Sequence, residues 1–103
     1  MAKYVYLYTG GNMAQTPEEQ EAAVQAWGAW FGTLGSALID GGNPFGAAAT
    51  ISADGSVSDG GTSAITGYTL VNADSLDAAV TGAKDCPVLT TGGAVQVYEA
   101  LEM

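Results

Sequence analysis

Histidine is absent from this chain of 103 residues, lysine and arginine together number two, and there is one cysteine. Each shortage closes off some chemistry. Without imidazole, a large group of metal and acid–base sites is excluded before any motif is sought. Two cations against eleven carboxylates leave a net charge of −9, which repels phosphate backbones and anionic bilayers. Neither nucleic acid nor membrane is therefore expected as a partner. The lone Cys86 cannot close an internal disulfide, so nothing points to an oxidising compartment. No run approaches the ~18 apolar residues of a spanning helix. The opening residues enter a strand pattern at once, where a signal peptide would carry a longer apolar stretch. A cytoplasmic location is the expectation.

What is present argues for a folded core. Hydrophobic residues make up 48% of the chain, too many for disorder, and the length suits one domain spanning 1–103. Charged residues are only 13%, so the acidic excess reads as a device for solubility. The stretch Tyr4-Val5-Tyr6-Leu7-Tyr8 organises the rest. On a strand it puts three tyrosines on one face and Val5 and Leu7 on the other. Both faces need cover, and a chain this short has helices for one. The tyrosine face is expected to stay open and to meet another subunit, a ligand, or both.

Residues 3–9 predict a first strand, broken by Gly10-Gly11-Asn12. Thr16-Pro17-Glu18-Glu19 is a helix start, with Thr16 as cap, proline at the first helical position and Glu19 completing a capping box. Ala23, Trp27, Trp30 and Leu34 continue it at helical spacing, flanked by Ala26 and Phe31, as far as Gly35. A short strand at 37–39 ends in Asp40-Gly41-Gly42-Asn43-Pro44. A hairpin follows: a weak strand over 48–53, the turn Asp54-Gly55, and a return over 56–58. Residues 65–71 form a stronger strand. A second helix then starts with Asp74 as expected cap and carries the stripe Leu76, Ala79, Val80 and Ala83, before a last strand over 94–101. This order predicts an α+β fold, a ferredoxin-like antiparallel sheet with two helices on one face. All five tyrosines fall in predicted strands.

Several stretches together resemble the YCII-related family, in its DGPF-like branch. They are the opening Lys3-Tyr4-Val5-Tyr6-Leu7-Tyr8, Asp59-Gly60 after the hairpin, and Gly67-Tyr68-Thr69-Leu70-Val71. Residues 72–79, Cys86-Pro87 and Val95-Gln96-Val97-Tyr98-Glu99 complete the likeness. The resemblance implies a dimeric α+β barrel in which two sheets pack face to face around a cleft. It supplies no activity. The histidine–aspartate pair proposed for some relatives has no counterpart here, and Gly61-Thr62 stand where proline and phenylalanine would follow Asp59-Gly60.

Read for chemistry, Cys86 lacks a base to make it a nucleophile and suits packing. The aspartates fit turns and caps better than any calcium loop. The glycine-rich segments lack the lysine and hydroxyl of a phosphate-binding loop. Trp27 and Trp30 belong to the helix stripe. Asp40, between an apolar strand and a glycine-rich bend, is the carboxylate placed to project into a cleft. The candidate ligand-binding set is Tyr4, Tyr6, Tyr8, Asp40, Tyr68 and Tyr98, with no catalytic residue, metal or cofactor assigned. The expected role is a homodimer binding a small, partly apolar, neutral or cationic molecule between its sheets. An enzyme using a tyrosine or Asp40 as acid or base, and an interaction module without ligand, are the alternatives.

Overall fold

The structure, a computed structural model, describes residues 2–11, 15–60 and 64–102. Asn12, expected in the first turn, and Gly61-Thr62, at the broken family signature, lie outside them. Six strands and two helices follow in the order β1 (Ala2–Thr9), α1 (Pro17–Leu34), β2 (Leu38–Asp40), β3 (Ala49–Ile51), β4 (Val57–Asp59), β5 (Ile65–Ala73), α2 (Leu76–Ala83) and β6 (Ala94–Ala100). Four strands form an antiparallel sheet ordered β2-β5-β1-β6, and β3 and β4 form a separate hairpin. The fold is α+β.

The first helix begins as its sequence dictates. Thr16 Oγ1 accepts the Glu19 N–H (3.1 Å), while Glu19 Oε2 accepts the N–H of Gln15 (2.6 Å). That is a capping box shifted one residue outward, and it occupies donors the first turn leaves free. Gly35 closes the helix in a positive-φ conformation. The second helix is capped by Ser75, whose hydroxyl accepts the Ala78 N–H at 3.1 Å. Asp74 is therefore not the cap. β5 runs on to Ala73, two residues past the expected end, and carries the first helical turn along with it.

The faces of the sheet are covered the opposite way from the expectation. Tyr4, Tyr6 and Tyr8 are at most 6% exposed and form the core with Trp30, Val71, Ala79, Ala83, Cys86 and Val88. The tyrosine face is the covered one. Tyr6 meets Trp30 at 5.9 Å between ring centroids, and Tyr8 meets Trp27 edge-on at 5.2 Å. From α2, the Ala79 carbonyl accepts the Tyr6 hydroxyl at 2.6 Å. Both helices thus pack on the tyrosines. Trp30 ties the helices together by donating its indole N–H to the Gly82 carbonyl at 3.0 Å. Aromatic area supplies the burial, and the Tyr6 hydroxyl and Trp30 indole N–H both meet protein acceptors.

Candidate functional site

The register of the sheet decides which residues share the open face. Partners across an antiparallel pair point the same way. Val5 lies opposite Leu70 on one side and Tyr98 on the other, while Leu7 lies between Tyr68 and Gln96. Lys3 sits between Asn72 and Ala100, and Asp40 extends the Leu70 row onto β2. The open face therefore has an apolar centre of Val5, Leu7, Leu70, Tyr68 and Tyr98, with Lys3, Asn72, Gln96 and Asp40 around it.

The expected ligand set is split by this arrangement. Tyr68, Tyr98 and Asp40 belong to the open face. Tyr4, Tyr6 and Tyr8 belong to the core. The Tyr8 hydroxyl donates to Thr69 Oγ1 at 2.6 Å, and Thr69, fully buried, passes the chain on to the Gly41 carbonyl at 2.9 Å. Burial raises the pKa of Tyr6 and, more strongly, that of Tyr8, because a phenolate there would lose its hydration. The Tyr6 hydroxyl ties the sheet to α2, and the Tyr8 hydroxyl ties β1 to β5 within the sheet.

The open-face groups are held less tightly. Tyr98 is 53% exposed, and its hydroxyl reaches only Gln96 Oε1 at 3.3 Å. Tyr68 stacks on Phe45, with 5.7 Å between centroids. Phe45 was missed in the sequence; its position after a Gly-Gly-Asn-Pro bend hides that residues 43–45 continue along the β5 edge. The Phe45 N–H donates to the Thr66 carbonyl at 2.8 Å, and Pro44 bridges to Gly67. This close run depends on Gly42. A Cβ there would lie 1.7 Å from the Tyr68 carbonyl oxygen, in a backbone with φ of +74°. Asp40 spends one carboxylate oxygen on the turn, accepting the Gly42 N–H at 2.8 Å.

Cys86 is 1% exposed among these core residues, and burial pushes its thiol from 9.0 to about 11. A thiol so displaced stays protonated at neutral pH and serves packing. Two shallow grooves lie on the helix side, away from Tyr68 and Tyr98. One, of about 320 Å³, runs between α2 and β6; the other, of about 360 Å³, lies between α1 and residues 85–90. Among the described residues no helix is long and apolar enough to cross a membrane, and no group of three Cys, Asp or Glu gathers as metal ligands. Comparison with known proteins yields no matching family model, no matching curated protein and no matching solved structure.

Proposed function

We propose that the chain works as a YCII-like homodimer whose open sheet faces pair and hold a small, partly apolar molecule between them. The observation that carries this is the apolar centre of the sheet face opposite the helices, Val5, Leu7, Leu70, Tyr68 and Tyr98, half-buried except for the 53% exposed Tyr98. Contiguous apolar surface of this kind marks an interaction site, since leaving it in water gains nothing. The strand order β6-β1-β5-β2, with one helix after β1 and one after β5, supports reading the subunit as ferredoxin-like. Two such sheets packed face to face, about 10 Å apart, make the dimeric α+β barrel.

In this reading Tyr68, Tyr98 and Asp40 orient the ligand, and the acidic surface favours a neutral or cationic one. Tyr4, Tyr6 and Tyr8 drop out of the ligand set. An acid–base role for a tyrosine draws less support. Tyr6 and Tyr8 are shifted upward, away from neutral pH, and face the helices. Native mass spectrometry of gently purified protein tests the proposal. A dimer carrying extra mass supports it in full, a bare dimer leaves only the pairing, and a well-folded monomer at micromolar concentration rejects it.

A further inference from the structure

The β3-β4 hairpin packs on little of its own chain. Ile51 and Val57 face each other across it and are 72% and 67% exposed. An isolated two-stranded hairpin is marginal in water, yet this one is carefully built. Asp54 Oδ1 accepts both the Ser56 N–H (2.9 Å) and the Ser56 hydroxyl (2.7 Å), and Thr50 Oγ1 donates to the Gly60 carbonyl at 2.7 Å. The molecule as a whole is drawn out. The radius of gyration is 15.0 Å, against about 13 Å for a compact domain of this length. Extents of 43 × 40 × 19 Å describe a slab wider than the ~15 Å that four strands span. A shaped, projecting arm with an apolar pair has a contact to make.

A receiving surface of matching chemistry lies on the same chain. The groove between α2 and β6 is lined by Leu76, Val80, Lys84, Leu89, Val95 and Val97. Leu76 is 51% exposed and Leu89 42%, so its apolar lining also lacks cover. Lys84 is one of only two cations in the sequence, and Asp54 stands at the arm's turn. The neighbouring Asp85 lines the other groove. The arm cannot use its own groove. It leaves from residues 43–45 beside β5, at the β2 end of the sheet, whereas β6 is the opposite edge. Only another copy can bring the two together.

We propose that β3-β4 is an intersubunit arm that lays Ile51 and Val57 into the α2–β6 groove of a second copy, with Asp54 beside that copy's Lys84. This rests on the homodimer proposed above and adds a second, separate contact to it. Reciprocal exchange of arms closes a two-fold assembly and leaves no groove free for further growth.

Cross-linking in mixtures tests it. Val57→Cys and Val80→Cys proteins are oxidised mildly, alone and mixed, with buried Cys86 out of reach. A disulfide-linked pair formed in the mixture and in neither protein alone supports the arm. Dimers that give no such link overturn it while leaving the pairing of open faces standing. Links between two Val57→Cys chains also overturn it, since arm would then meet arm. As a second readout, Asp54→Asn, whose amide oxygen can still accept from Ser56, and Lys84→Met should each weaken the dimer about two- to thirty-fold, the range of the two exposed ion pairs that a reciprocal exchange holds. The double variant should weaken the dimer no more than either single one; losses that add contradict the Asp54–Lys84 pairing.

Discussion

The two faces of one sheet are similar in composition and opposite in fate. One carries Tyr4, Tyr6 and Tyr8 beneath two helices, and the other carries Val5, Leu7, Leu70, Tyr68 and Tyr98, half-buried or exposed, with Phe45 stacked on Tyr68. Aromatic rings with hydroxyls therefore do not mark a binding surface by themselves. What separates the faces is where the hydroxyls go. Tyr6 and Tyr8 end on protein acceptors at 2.6 Å, whereas Tyr98 makes only a long contact within its own strand.

The contrast is broken most forcefully at Trp30. It is 3% exposed, touches Tyr6, Trp27 and Phe31, and bonds α2. Trp30→Ala should cost about 3–5 kcal/mol in denaturant unfolding, whereas Tyr98→Ala should change the subunit's own stability by no more than about 0.5 kcal/mol. On the open face the effect should appear in assembly. Leu7→Glu would bury an unpaired carboxylate between sheets, at a cost of at least about 3 kcal/mol, weakening the dimer 100-fold or more in sedimentation equilibrium. Circular dichroism should show the fold intact.

The edge between the faces gives a smaller effect. Gly42→Ala forces a Cβ toward the Tyr68 carbonyl and a strained φ, with an expected loss of about 2 kcal/mol in thermal unfolding. Tyr6→Phe removes one buried hydrogen bond without opening a cavity and should cost about 0.5–1.5 kcal/mol.

Smallest is a dependence on alkaline pH. Cys86 and the core tyrosines have raised pKa values, so the folded chain binds protons more tightly than the unfolded one. That contribution is fully present below pH 9.0 and is lost from Cys86 as the pH climbs toward about 11. Melting temperature should stay flat with respect to these groups up to pH 9.0 and fall above it. In Cys86→Ala the fall should begin later, because the tyrosines titrate higher.

Much of this architecture was legible in the residues. The capping signature at Thr16 and the stripe through Trp27, Trp30 and Leu34 place α1, and alternation in residues 4–8 places β1. The split of Tyr4, Tyr6 and Tyr8 from Val5 and Leu7 within β1 was legible too, but not which of those faces Tyr68 and Tyr98 would join. Which face would be covered was not. A period of two sorts residues into two sets but carries no sign, and both sets here are apolar enough for a core. The deciding partners, Ala79 and Thr69, are 73 and 61 residues from the tyrosines they bond. The cap of α2 was misplaced for a related reason. Asp74 and Ser75 are both good caps, and the length of β5, set by pairing with β1 as far as Ala2–Ala73, chose between them. In the candidate site, Tyr68 and Tyr98 were singled out from their predicted strands and Asp40 from its place between an apolar strand and a glycine-rich bend. Phe45 was not, since its stacking on Tyr68 follows from tertiary approach at a glycine bend.

Tyrosine acetylation mapped by mass spectrometry across protein concentration reads both faces at once. The account predicts Tyr6 and Tyr8 protected at every concentration, with Tyr68 and Tyr98 modified in dilute solution and protected as subunits pair. Tyr68 and Tyr98 reacting equally at all concentrations, or Tyr6 and Tyr8 reacting in the folded protein, would contradict it.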